Sequence, residues 1–468
     1  MSEVTIKRVA VQGLHGQLDV DLDLTPGLNI LYGKNGRGKT TILHLLANAL
    51  ELDFGRFAFL KFERLVIVTS RDETLELKQT RAGQHPAVFF NETQLGSHDD
   101  LPVFAPDELA LLRDALGGRP TYLPAFRSVL ERSRNDSGAY RSERRESEIE
   151  QISQREFEAL REATGLTGER PVDIRFLRNE STAVAHKTVL CRQWFGQFVP
   201  IIRYPSIADV DEGLTDEFGR AQFEMSRREV EMVEESFVKI FKVISGVERL
   251  DSSSNSERTL EAIYELVSAS DSDVSTTSGS RNTFHDLQRV IAKAGGTIAG
   301  SNSALLDIYL EMLRARKNER KEAFTKTHDF EESINRFLDN KRLRIGALET
   351  RQSRISRSAV FVTSGSNHAY GLSALSSGER QILTMLYSAT RSRFLAGTFL
   401  IDEPELSLHI DWQRIILREL QAQSGGRQII ACTHSPEVGA DHLSDTQDFE
   451  PVRTTARQSQ LFTEEEDL

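Results

Sequence analysis

Apolar residues near the start of the chain fall in short runs at 4–11, 18–24 and 28–31, separated by Gly13, Gly16 and Pro26-Gly27. Runs of this length bounded by turn residues predict strands. Further strand-like runs at 65–69 and 74–77 flank Arg71-Asp72-Glu73, and 86–90 and 119–124 continue the pattern. From about 129 the period changes. Ile149, Ile152, Phe157 and Leu160 share one face of the charged stretch 141–161. In 305–338, Leu305, Ile308, Tyr309, Met312 and Leu313 recur at offsets of three and four. Both stretches, together with 223–244, predict helices. The Ser/Asp-rich pieces 251–256 and 268–281 predict solvated loops. Strand texture returns at 358–363, 398–401 and 428–432. The polar tail after 449 ends in Glu464-Glu465-Glu466-Asp467 and is expected to be loose. The pattern predicts an α/β domain in two parts, 1–128 and 358–448, split by a mostly helical insertion at 129–357 and followed by the tail 449–468.

Composition narrows the function classes. The 468 residues allow two to four domains at roughly 100–200 residues each. With 58 basic against 70 acidic side chains, the formal charge is −12, which argues against a surface that coats nucleic acid. It leaves room for a local basic groove. The best candidate is 338–357, where Lys341, Arg342, Arg344, Arg351, Arg354 and Arg357 stand against Asp339 and Glu349. The cluster Arg141, Arg144 and Arg145 is interleaved with Glu143, Glu146 and Glu148, a poor footprint for DNA. The two cysteines, Cys191 and Cys432, are too few for a disulfide scaffold or a thiolate zinc site. No 18-residue apolar window exists, so no membrane helix is expected. The charged first ten residues lack a signal-peptide core, which points to the cytoplasm.

The most specific chemistry lies in Gly33-Lys34-Asn35-Gly36-Arg37-Gly38-Lys39-Thr40-Thr41, which fits G-x-x-x-x-G-K-[ST] between the strand 28–32 and the helical run 42–50. Gly33, Gly36 and Gly38 let the backbone wrap so that N–H groups face phosphate oxygens, and the helix N-terminus adds partial positive charge. Asn35 and Thr41 belong to the same cradle. Lys39 is placed to reach the β- and γ-phosphates, and Thr40 to offer a hydroxyl to Mg²⁺.

A second set lies downstream. The strand 398–401 delivers Asp402 and Glu403 at its end, a pairing suited to holding Mg²⁺ with the first carboxylate and activating water with the second. Upstream, Leu375-Ser376-Ser377-Gly378-Glu379-Arg380-Gln381 places small residues before a helical run, another anion-binding arrangement. Downstream, the strand 429–433 ends in His434-Ser435-Pro436.

Together these residues resemble the ATP-binding-cassette ATPase head, in its SMC/RecN/OLD-like branch. Residues 33–41 resemble Walker A, 375–381 the signature, 400–403 Walker B, 404–409 the D-loop and His434 the switch histidine. The resemblance implies a P-loop NTPase head with ATP and Mg²⁺ as cofactors. It further implies a head-to-head dimer, or a higher oligomer, in which Ser376 and Gly378 of one copy complete the nucleotide site of the other. Thr40 and Asp402 would hold the metal, Glu403 would act as general base and His434 would contact the γ-phosphate. In the signature Ser377 takes the place of a glycine and Glu379 that of a common glutamine. The usual glutamine before the insertion is missing, and Arg127 is the polar residue at the matching place. No aromatic side chain near Leu14-His15 is expected to stack on adenine. His44 and His409 read as structural and Cys432 as core, with Cys191 unassigned.

A compact head with Thr433-His434-Ser435-Pro436 after its last strand also resembles ATPase subunits of bacterial anti-phage systems, such as AriA of PARIS and PtuA of Septu and retron systems. That implies a protein partner, a toxic nuclease encoded nearby that the ATPase sequesters or activates. With so few residues after His434, no fused nuclease domain is expected downstream. The alternative is a RecF- or SMC-like repair ATPase that clamps DNA; the acidic balance favours the protein partner over nucleic acid.

Overall fold

The computed structural model describes residues 4–81, 83–96, 104–127, 174–245, 256–271, 303–346, 359–365, 368–390 and 397–453. The helix expected at 141–161, with its arginine cluster, lies outside these residues. The chain divides into two compact units, 1–206 with 377–468, and 207–376. The second begins and ends later than the expected insertion. Helix α3 (Ile174–Phe195) and the segment after it belong to the first unit, where Arg192 pairs with Asp53 and Arg203 with Glu51.

The first unit has two sheets. Strands β1 (Ile6–Leu14), β2 (Leu18–Asp23), β4 (Arg64–Thr69), β5 (Thr74–Lys78), β6 (Ala87–Phe90) and β7 (Thr93–Leu95) pair antiparallel, closed on one side by β15 (Val452–Arg453) in the order β15-β2-β1-β4-β5-β6-β7. Alternate side chains face inward: Leu65 and Ile67 on β4, and Leu75 and Leu77 on β5, are buried. Strand β15 corrects the expectation of a loose tail from 449, since Val452 and Arg453 pair with Asp19 and Leu18.

The second sheet consists of β3 (Leu28–Tyr32), β8 (Thr121–Leu123), β12 (Phe399–Asp402), β13 (Ile429–Thr433) and β14 (Thr446–Asp448). All run parallel in the order β14-β3-β13-β12-β8. A parallel sheet covered on both faces needs continuous apolar strands, and Ile429, Ile430, Ala431 and Cys432 are fully buried, as are Phe399, Leu400 and Ile401. Among the described residues, helices α1 (Lys39–Glu51), α2 (Pro106–Ala115), α3 (Ile174–Phe195), α7 (Ser377–Ala389), α8 (Ile410–Ser424) and the short α9 (Pro436–Gly439) also belong to this unit. Its register matters most for function. Leu31 and Asp402 both pair with Cys432, so β3, β13 and β12 end at one level of one edge.

In the second unit, α4 (Ile207–Ile244) and α6 (Ser303–Asn335) run antiparallel, joined by the ion pairs Arg228–Glu319, Arg316–Glu229 and Lys239–Glu311. Helix α5 (Ser256–Asp271) packs Ile263 against Leu310 and Leu313 of α6. It corrects the loop expected at Ser256 and 268–271: the burial of Leu260 and Ile263 outweighs the polar composition of the helix ends. Strands β9 (Lys341–Ile345), β10 (Val360–Ser364) and β11 (Ala369–Tyr370) form a small antiparallel sheet. The fold is mixed α/β with a helical segment in its middle, as the pattern predicts. Among the described residues no helix is long and apolar enough to cross a membrane.

Candidate nucleotide site

Strand β3 ends at Tyr32, and the chain turns through residues 33–38 into α1. Gly36 and Gly38 have φ of 77° and 94°, the left-handed region that glycine enters without steric cost. Gly33 donates its N–H to Thr433 O at 3.3 Å, and a Cβ there would meet Phe449 O at 3.0 Å. The loop thus begins bonded to the last residue of β13 and packed close against the residue after β14. Lys39, the first residue of α1, is buried and its Nζ donates to the carbonyls of Gly33 and Lys34 at 2.6 and 3.0 Å. The ammonium therefore lies across the mouth of the loop it closes.

A cavity of about 290 Å³ opens over the loop. Asn35, Gly36, Gly38, Lys39, Thr40 and Thr41 line it, with His15 and Glu403 on its other walls. The His15 imidazole lies on the cavity wall, with Nε2 3.5 Å from Thr41 Oγ1. A turn residue at φ 52° gives little sequence signal of where its side chain points.

From β12, Asp402 meets the loop directly. Thr40 Oγ1 donates to Asp402 Oδ2 at 2.9 Å and lies 3.2 Å from Oδ1. Asp402 is 1% exposed, and burial pushes its carboxyl up to about 6, against the lowering effect of the Thr40 hydroxyl. The negative neighbours Glu403 and Glu405 add to the rise, and Arg127 opposes it. A hydroxyl and a carboxylate side by side are hard oxygen donors, and two protein ligands suit a Mg²⁺ that takes its others from phosphates and water.

Glu403 follows with φ 48°, a conformation costing on the order of 1–3 kcal/mol for a residue with a Cβ. Its N–H donates to Cys432 O at 2.8 Å, which ties the turn to β13. His434, just past the end of β13, places Nδ1 3.6 Å from Glu403 Oε1 and 3.2 Å from Glu405 Oε1. Glu405 has no marked sequence signal, yet it organises this corner. Its Oε1 accepts from Thr433 Oγ1 at 2.6 Å, His434 N at 3.0 Å and Ser435 N at 3.1 Å.

Arg127 does not face the cavity. It is fully buried, with Nη1 donating to the carbonyls of Pro124 and Asp402 and Nη2 to those of Glu403 and Pro404. Ser376 is exposed just before α7, and Gly378 lies against Trp412 and Ser407, where a Cβ would come within 3.3 and 3.4 Å; neither lines the cavity. His44 donates to or accepts from Tyr122 Oη at 2.8 Å, and Cys191 and Cys432 are buried free thiols. His409 lies on the surface beside Asp411, and its carbonyl accepts from Trp412 N and Gln413 N at the start of α8. On the basic stretch 338–357, Arg344 is engaged by Glu331 and Lys341 by Ala374 O; residues 347–358 lie outside the described chain.

Comparison with known proteins gives two family matches. Residues 8–83 match the model described as "AAA domain", and residues 234–441 that described as "AAA domain, putative AbiEii toxin, Type IV TA system". Lys39 lies within the first matched segment, and Asp402 to His434 within the second. No curated protein matches. Among solved structures, the chain is similar to the Smc head domain with an extended coiled coil bound to the C-terminal domain of ScpA from Pyrococcus furiosus. That match has 10% identity, covers 97% of this chain and 98% of that one, and has a TM-score of 0.38. The Smc head with a coiled coil and joint from Pyrococcus yayanosii gives 13%, 97% of each chain and 0.37. The recombination mediator RecF-ATPrS of the RecFOR pathway gives 12%, 96% and 95%, and 0.31.

Proposed function

We infer that this protein binds ATP with Mg²⁺ over the loop 33–41 and hydrolyses it. The observation that carries this reading is the meeting at one sheet edge of Lys39, Thr40 bonded to Asp402, Glu403 on the cavity wall, and His434 within 3.6 Å of Glu403. Ligands of parallel sheets bind beyond the carboxyl ends of the strands, where this cluster sits. The loop N–H groups and Lys39 hold the phosphates. Thr40 and Asp402 hold Mg²⁺, which neutralises charge on the β- and γ-phosphates when bound. Glu403 takes a proton from the water that attacks the γ-phosphorus, and His434 donates a hydrogen bond to the transferred group.

Ser376 and Gly378 lie off this cavity, and their place on the reading is in a second copy. Two heads sandwich two nucleotides, and the signature segment of each meets the γ-phosphate held by the other. ATP closes the pair and hydrolysis releases it, because the exposed segment before α7 gains its anion only while the γ-phosphate is present. The assembly controls a protein partner in bacterial anti-phage defence, a toxic nuclease that it sequesters or activates. The net charge of −12 favours a protein over nucleic acid as that partner.

Turnover and nucleotide binding of the wild type, Lys39→Ala and Glu403→Gln test the reading. Lys39→Ala should lose binding and turnover together. Glu403→Gln should keep ATP, lose turnover and elute as the closed assembly on a sizing column. Wild-type turnover in Glu403→Gln would sink the role given to the carboxylate. Co-purification with genomic neighbours, with and without ATP, tests the partner; recovery of no nuclease in either state would remove the defence role while leaving the ATPase intact.

A further inference from the structure

Glu403 poses a backbone problem. A general base at this position must carry a side chain, yet its φ of 48° is one that residues with a Cβ avoid. Main-chain contacts hold the residue on two sides: its N–H donates to Cys432 O at 2.8 Å, and its carbonyl accepts from Leu406 N at 3.1 Å. Such contacts form whatever the side chains are.

Arg127 adds the side-chain hold. Its two terminal nitrogens grip three successive carbonyls, Asp402 at 2.9 Å, Glu403 at 2.7 Å and Pro404 at 3.1 Å, with Pro124 O at 3.2 Å behind them. The guanidinium is 0% exposed, so no water substitutes for a lost donor. Three carbonyls that converge on one point require the chain to curl around it, and the left-handed residue is the middle of the curl. The planar fork has donors spread widely enough to serve these carbonyls at once, and an ammonium has not. The fork contacts neither the cavity nor either carboxylate oxygen of Glu403.

We propose that Arg127 is a positioning residue for hydrolysis, which fixes the left-handed turn at Glu403 and thereby aims its carboxylate at the cavity wall beside His434. The proposal rests on the reading of Glu403 as the base. Nucleotide is held by β3, α1 and Asp402, and none of these contacts runs through the Arg127 fork except the Asp402 backbone.

The test compares Arg127→Lys, Arg127→Gln, Glu403→Gln and the double variant Arg127→Gln/Glu403→Gln, with ATP affinity and single-turnover hydrolysis measured for each. Loosening a catalytic group by about 1 Å costs roughly a hundredfold in rate. Arg127→Gln should therefore lower hydrolysis roughly a hundredfold and Arg127→Lys by roughly ten, with ATP affinity inside about threefold of wild type. If Arg127 acts through Glu403, the double variant should hydrolyse at the same residual rate as Glu403→Gln alone. Two results overturn the proposal: wild-type hydrolysis in Arg127→Lys, or losses that multiply in the double variant. A proportional fall of ATP affinity with rate also overturns it, since that marks general loosening of the fold. Arg127→Lys keeps the charge and serves if Arg127→Gln does not fold. Full activity in Glu403→Gln would overturn the base assignment itself, and this proposal with it. Activity lost in Glu403→Gln but kept in the Arg127 variants would overturn this proposal alone.

Discussion

Glu405 gives the sharpest stability prediction. One of its carboxylate oxygens serves three donors, Thr433 Oγ1, His434 N and Ser435 N, and the residue is 5% exposed. Hydrogen bonds to a charged acceptor contribute about 1.5–3 kcal/mol each, and an unsatisfied buried donor costs about 1–3 kcal/mol. The three bonds share one oxygen, and the His434 and Ser435 bonds are only partly buried, so the sum is discounted. Glu405→Ala should cost about 3–5 kcal/mol, at the high end for point substitutions. Glu405→Gln keeps a carbonyl oxygen in place and loses only the charge assistance, about 1–2 kcal/mol. It also removes a negative neighbour that raises the Asp402 carboxyl, which offsets part of that loss. Urea unfolding reads both. With a slope of about 2–3 kcal/mol per M, the midpoint should fall by roughly 1–2.5 M for alanine and roughly 0.5 M for glutamine. Equal shifts for the two variants would refute the reasoning, because the shared acceptor oxygen would then not be the anchor. Turnover should fall in Glu405→Ala, whose His434 backbone is no longer held.

Two further outcomes follow from other sites. Burial pushes the His44 imidazole down to about 4, so the unfolded chain takes up a proton first as pH falls. The stability His44 contributes is present above about 6.5 and is lost between about 6.5 and 4. His44→Gln should flatten that part of the stability profile in urea unfolding at stepped pH, and an unchanged slope would acquit the imidazole. Double-stranded DNA should leave ATP turnover unchanged at moderate salt, given the acidic balance and the pairing of Arg344 with Glu331. Stimulation that fades steeply with added salt would instead favour a DNA clamp.

The parts of the site that were legible in the sequence are those whose chemistry is local. The phosphate loop reads directly because its glycines, Lys39 and Thr40 lie within nine consecutive residues, and Asp402-Glu403 reads because a buried strand leads into it. Arg127 and Glu405 do not read that way. Arg127 donates to carbonyls about 275 residues away, and any residue offers a carbonyl, so no residue type marks the partner. Glu405 likewise binds two backbone N–H groups and one hydroxyl across the strand gap between β12 and β13. At the level of the fold, short apolar runs predicted β1, β2 and β4 to β6 of the meander but not β7, and the helical readings of 223–244 and 305–338 cover the second half of α4 and most of α6. Composition misled at the ends of α5, where serine and aspartate frame a helix anchored by Leu260 and Ile263.

The flanking of β3 by β13 and β14 has a consequence for the order of events during synthesis. The meander from β1 to β7 uses neighbouring segments and is complete once its own residues have left the ribosome. Strand β3, which carries the phosphate loop, has to wait: Asn29 Nδ2 donates to Ile429 O across 400 residues of chain. At about 5–20 residues per second, that gap lasts roughly 20–80 s. Through that interval β3 is an apolar ribbon without its hydrogen-bonding neighbours, the kind of segment that chaperones protect. The proposed nucleotide site therefore stays incomplete until β13 emerges, and forms among the last elements of its unit.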